Sequence, residues 1–77
     1  MRKTSWSEAE RRHALSVGAR IAGARIARGL TQVAVARQLR ISQGRVAAVE
    51  LGRSDLSREA IAAAVGVHDS EVISHAR

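Results

Sequence analysis

The stretch "LTQVAVARQLRISQGRVAAVELG", residues 30–52, decides the fold. Two short apolar-periodic runs lie either side of "LRIS". Each opens on a hydroxyl residue followed by glutamine: Thr31-Gln32, then Ser42-Gln43. A serine or threonine at such a place accepts a hydrogen bond from a free N–H of the first helical turn. The spacing predicts one helix over about 31–38, with Val35, Ala36 and Leu39 as its apolar positions. A second follows Ser42 to about Leu51, with Val46 and Val49 turned inward and Gly52 as its stop.

Outward from this centre the same punctuation recurs. Upstream, Ser5 with Glu8 and Ser7 with Glu10 both have capping-box spacing. Residues 8–16 are mostly polar, with Ala9, Ala14 and Leu15 as a thin apolar set. From Val17 the pattern strengthens, and Val17, Ile21, Ala24 and Ala27 share one helical face. Gly29 is placed to end that helix in a left-handed cap. Downstream, "RSDLS" reads as a loop. Ser57 is the expected cap of a helix over 58–65, with Ile61, Ala64 and Val65 as its stripe and Gly66 as its close. Val72 and Ile73 suggest a last short helix capped by Asp69 or Ser70. Strand signals are missing. The expectation is an all-α bundle of four to five short helices. The short connection between the two central helices forces them to cross steeply, as in a helix-turn-helix.

Composition bounds the chemistry. The chain has 77 residues, enough for one small domain, and carries a formal net charge of +6. Lys3 is the only lysine, so the positive charge is almost all arginine. Its planar fork of donors fits phosphate oxygens and the guanine edge. A basic domain of this kind suits nucleic acid, although acidic protein surfaces attract the same groups. There is no cysteine, and Trp6 is the one aromatic residue, so the core must be aliphatic. His13, His68 and His75 are scattered without ligand spacing, and no nucleophile–base arrangement is present. No metal, cofactor or catalytic residue is expected. No apolar run is long enough for a membrane span, and the N-terminus lacks the apolar segment of a secretory signal; the expected location is the cytoplasm.

Residues 17–67, "IAGARIARGLTQVAVARQLRISQGRVAAVELGR" at their centre, resemble the Cro/cI-type helix-turn-helix of phage repressors and bacterial regulators, the xenobiotic-response-element family. The features are "ARGLTQ", Ala36, "ISQ" and the "VE-LG" close. The resemblance implies a compact, lambda-repressor-like bundle of about five helices that binds duplex DNA with sequence specificity. Its third helix would lie in the major groove and its second would cross the backbone. Residues 1–16 are then an N-terminal extension of helical character, 17–67 the DNA-binding domain and 68–77 a tail.

Carried over by position, Gln32 is similar to the family's phosphate-contacting glutamine and Gln43 to its base-reading one. Gly44, Arg45 and Ala48 fall where the family varies its readout. Arg25 and Glu50 match a structural salt bridge between the first and third helices. Thr31, Ser42, Arg37, Arg40 and Arg53 are candidate phosphate contacts, with Arg58 flanking the same region. By its own chemistry Gln43 can pair bidentately with adenine, and Arg45 can reach guanine or a phosphate.

The chain departs from the pattern at Arg40, where glycine is usual, and at Leu51, where a polar residue is common. Gly44 and Ala48 offer no long side chain. The implied function is a transcriptional regulator, in the first instance a repressor acting by operator occlusion. The alternative is a protein-interaction module of the same fold, such as an antitoxin or coactivator. Candidate surfaces for a homodimer are the tail from Val67 to Ile73 and the Trp6 segment.

Overall fold

The structure is a computed structural model that describes residues 6–68. Among these residues it is all-helical: α1 (Glu8–Ala27), α2 (Gln32–Leu39), α3 (Gln43–Glu50) and α4 (Arg58–Ala64). α1 runs unbroken through residue 17, where the sequence pattern strengthens. The expected last helix, with its caps Asp69 and Ser70, lies outside the described residues, as does Ser5.

The helix starts follow from local chemistry. Ser7 and Glu10 form a reciprocal capping box: Ser7 Oγ accepts from Glu10 N, and Glu10 Oε1 accepts from Ser7 N at 2.8 Å. Thr31 Oγ1 accepts from Ala34 N and Ser42 Oγ from Arg45 N, each at 3.0 Å. The fourth start differs from expectation. Ser57 occupies the cap position of α4 but makes no side-chain cap bond, because its backbone is left-handed (φ 64°, ψ 16°) rather than extended. A cap hydroxyl normally reaches the helix N–H groups from an extended backbone.

All four helices end the same way. Each closes with paired reverse bonds around a left-handed residue, the Schellman arrangement. The bonds are Gly29 N to Ile26 O with Leu30 N to Arg25 O, and Arg40 N to Arg37 O with Ile41 N to Ala36 O. Gly52 N to Val49 O with Arg53 N to Ala48 O, and Gly66 N to Ala63 O with Val67 N to Ala62 O, complete the set. Glycine is left-handed at three of these ends, and Arg40 (φ 60°, ψ 43°) at the fourth. The residue after each left-handed position turns back onto the core: Leu30, Ile41 and Val67 pack there. Arg53, the exception, stays in solvent.

The core is aliphatic, as the composition requires. Val17, Ile21, Val35, Val46, Val49, Ile61 and Val65 are essentially inaccessible, joined by Ala36, Ala62 and Val67. Burying a side chain of this kind contributes roughly 1.5–3 kcal/mol. Two expectations need correction. Ala27 is exposed, because the helix axis has turned it past the core-facing stripe. Val67 is only 7 % exposed and belongs to the core of its own chain, since the α4 closure folds it back. It therefore offers no free apolar surface to a second copy. The rest of that tail lies outside the described residues.

α3 packs against both α1 and α2. Its crossing with α1 is close because of Gly18. A Cβ built there would sit 2.5 Å from the carbonyl oxygens of both Val49 and Glu50. The α3 backbone thus rests directly on the α1 backbone. Around Gly23, five residues on, a Cβ would meet nothing within 4 Å.

Gly18→Ala should therefore destabilise the fold by about 1–3 kcal/mol, the usual cost of overpacking, despite alanine's better helix propensity. Gly23→Ala in the same helix should stabilise it by roughly 0.5–1 kcal/mol. Thermal melts would move in opposite directions, with about 4–8 °C expected per kcal/mol for a domain this small. Arg40→Gly should likewise raise the melting temperature, by relieving about 1 kcal/mol of left-handed strain. An unchanged melt would mean the turn is comfortable with arginine.

Candidate nucleic-acid interface

α3 is buried at its C-terminal end and open at its leading end. Gln43, Gly44 and Arg45 are exposed, Ala47 and Ala48 half-buried, and Val46 and Val49 inaccessible. The packing of α2 against α3 brings the side chains of Gln32 and Gln43 together. Gln43 Nε2 donates to Gln32 Oε1 at 2.6 Å. Gln32 Nε2 in turn donates to Glu50 Oε1 at 2.9 Å.

Glu50 also accepts from two donors on one edge of the Arg25 guanidinium: Nε to Oε2 at 2.6 Å and Nη2 to Oε1 at 3.2 Å. Arg25 Nη1 donates to Leu30 O at 2.7 Å, which ties the α1–α2 turn to the same pair. The side chains of Arg25 and Glu50 are 13 % and 5 % exposed. The hydrogen bond from Glu50 raises the Arg25 pKa above its ordinary value; burial opposes this, and Coulombic attraction adds to the rise. A raised cation pKa stabilises the folded state at all pH below the arginine range. That contribution fades only in strong alkali.

The relay has a fixed polarity. A carboxylate can only accept, so Gln32 must turn its Nε2 toward Glu50 and its Oε1 toward Gln43. Gln43 must then present its own Nε2 to Gln32. One Nε2–H and the Oε1 of Gln43 are left at the leading end of α3. Resemblance placed Arg25 with Glu50 and matched Gln32 and Gln43 separately. That the four form one chain was not read from the sequence, because positions 11 and 18 apart meet only through the helix crossing.

The remaining candidates differ in exposure and contacts. Thr31 and Ser42 are exposed, and each hydroxyl oxygen accepts a cap bond while its O–H remains a donor. Arg37, Arg40 and Arg53 are exposed. Arg58 is only 6 % exposed, so it is part of the folded body rather than a solvent-facing cation of this face. Arg45 reaches sideways, its Nη1 donating to Ser57 Oγ at 3.3 Å across the loop that follows α3. Trp6 is half-buried at the far end of α1, its carbonyl accepting from Arg11 Nη1 at 3.5 Å.

A helix packed on its predecessor, with a polar and exposed leading end, has the shape of a groove-reading element. Residues 16–72 match the family model described as a helix-turn-helix domain. The chain belongs to that family. It matches no curated protein and no solved structure in comparison. The matched span includes α2 and α3. No helix of the described residues is long and apolar enough to cross a membrane.

Glu50→Ala should cost about 3 kcal/mol, because it strands a largely buried guanidinium and releases Gln32. Replacing both partners with apolar residues, as Arg25→Met with Glu50→Leu, should recover most of that loss. Urea unfolding of the two variants would check this. Equal destabilisation would mean that the pair itself, rather than the orphaned charge, carries the stability.

Proposed function

We propose that this chain is a sequence-specific duplex-DNA-binding regulator of the Cro/cI type, a repressor that occludes its operator. The observation that carries this reading is the oriented amide of Gln43. The donor and acceptor it keeps free match adenine, which offers N7 as acceptor and N6–H as donor in the major groove. Gln32 sets that orientation before any DNA arrives. Arg45, on the same exposed turn, supplies the donors that suit guanine.

Gly44 and Ala48 contribute shape rather than donors. Neither holds the duplex away from the α3 backbone, so part of the specificity would come from DNA shape. Thr31, Gln32 and Ser42 lie at the starts of α2 and α3. There first-turn N–H groups and the positive helix end favour phosphate. Arg37, Arg40 and Arg53 are exposed cations that would add phosphate contacts in this pose. Arg40 fits this role in a further respect: strained backbone persists at functional sites, and glycine would be easier at that turn. Such a protein would work in the cytoplasm. If it binds as a dimer, its two half-sites would be about 34 Å apart, one helical turn.

If about five phosphates are engaged, the logarithm of the binding constant for random duplex should fall with log salt with a slope of about −4 to −5. A flat response would favour a protein partner instead. On a site selected from a random duplex pool, Gln43→Ala should lose about 1–3 kcal/mol of preference at one base pair. A uniform loss across all sequences would reassign Gln43 to backbone anchoring. A palindromic consensus would indicate two copies on the site.

A further inference from the structure

Among the described residues, two non-glycine positions have a left-handed backbone, Arg40 and Ser57. They flank α3, one just before it and one in the loop beyond it. Arg40 is accounted for by its place in the turn. Ser57 is not. It is the third residue of a turn closed by Arg58 N to Asp55 O at 3.1 Å, where φ is 64° and glycine or asparagine is the easy choice.

A serine there adds strain, and its hydroxyl does not cap the helix it precedes. Its backbone carbonyl alone serves α4, accepting from Ile61 N at 2.9 Å. The hydroxyl instead accepts from Arg45 Nη1 on α3. An unfavourable backbone, and the cap hydroxyl that this backbone diverts from its own helix to Arg45, thus meet at one residue facing the reading helix.

We infer that Ser57 is a positioning residue for DNA reading: its hydroxyl holds the Arg45 guanidinium on the α4 side of α3, so that Arg45 addresses one fixed base pair of the half-site. The inference rests on the proposed reading of α3 as the element that enters the groove. An arginine on a free stem has many rotamers to lose on binding; one already tethered has fewer. The tether is a single exposed hydrogen bond, and Arg45 keeps its other guanidinium donors for DNA. Loss of Ser57 should therefore relax selectivity without abolishing binding.

The test uses the full chain on a duplex carrying the consensus recovered from a random pool, on each single-base-pair variant of that duplex, and on an unrelated duplex. Arg45→Ala first identifies the base pair that Arg45 reads. Ser57→Gly should then raise the melting temperature while lowering discrimination at that same base pair by about fivefold, the weight of one such hydrogen bond. Affinity for the unrelated duplex should hold.

Ser57→Asn, which tolerates the left-handed backbone and keeps an acceptor, should retain discrimination near wild type. Ser57→Gly combined with Arg45→Ala should discriminate no worse than Arg45→Ala alone, as expected for groups acting through one another. Wild-type discrimination in Ser57→Gly, or additive losses in the double variant, would overturn the inference while leaving α3 as the reading helix. An Arg45→Ala protein with unchanged preference at every base pair would overturn the role of Arg45 beneath it, and the inference with it.

Discussion

The Glu50 carboxylate is the group on which the rest of this small molecule is hung. It receives two donors from Arg25 on α1 and one from Gln32 on α2, while its own helix is α3. Three helices therefore meet at one acceptor. A largely buried ion pair of this kind adds little net stability, since desolvation offsets most of the attraction. What it supplies is geometry. The carbonyl of the same residue lies against Gly18, so α3 is fixed at its C-terminal end by backbone contact and by charge together. That leaves its leading end free to project, which is the arrangement a reading helix needs.

The polarity of the hydrogen-bond chain follows from the same group. An amide can be turned over at little cost when its neighbours both donate and accept. A carboxylate accepts only, and this asymmetry passes from Glu50 through Gln32 to Gln43. On the proposed function, a structural charge far down α3 thus decides which atoms of Gln43 face a base. Stability and readout are coupled through Gln32, which is itself half-buried and joined at both ends of its amide.

Much of the fold was legible because local chemistry decides it. Hydroxyl caps at Ser7, Thr31 and Ser42, left-handed glycines at 29, 52 and 66, and the spacing of Val17, Ile21, Val35, Val46 and Val49 all mark structure within a few residues of themselves. Arg40 stood out too, through the resemblance, as an arginine where the family has glycine; its left-handed backbone bears out that departure. What was not legible depends on packing across the chain. Gly18 carries no local signal of its role, which appears only when α3 is laid on it. Val67 reads as spare apolar surface until the α4 closure folds it inward. Ser57 reads as an ordinary cap until its backbone turns left-handed and its hydroxyl finds Arg45. Arg58 reads as one more surface cation, yet it is buried. In each case a residue's neighbours along the chain suggest one role, and a distant segment assigns another.

The strained residues are better understood together than singly. A sequence whose local preferences agree with its fold everywhere gains nothing by placing arginine and serine at left-handed positions. Three of the four helix ends obey the rule with glycine, so the chain has the easy solution available and departs from it beside α3. Both departures put polar residues at positions flanking α3, and Ser57 reaches Arg45 on its exposed turn, where Gly44 offers no side chain. A short reading face with two long side chains has to hold them still, because each free side chain weakens binding by about 0.5–1.5 kcal/mol when it is ordered. Gln32 holds Gln43 and Ser57 holds Arg45. On the proposed function, the strain at Ser57 is the cost of holding the second of these side chains before DNA is met.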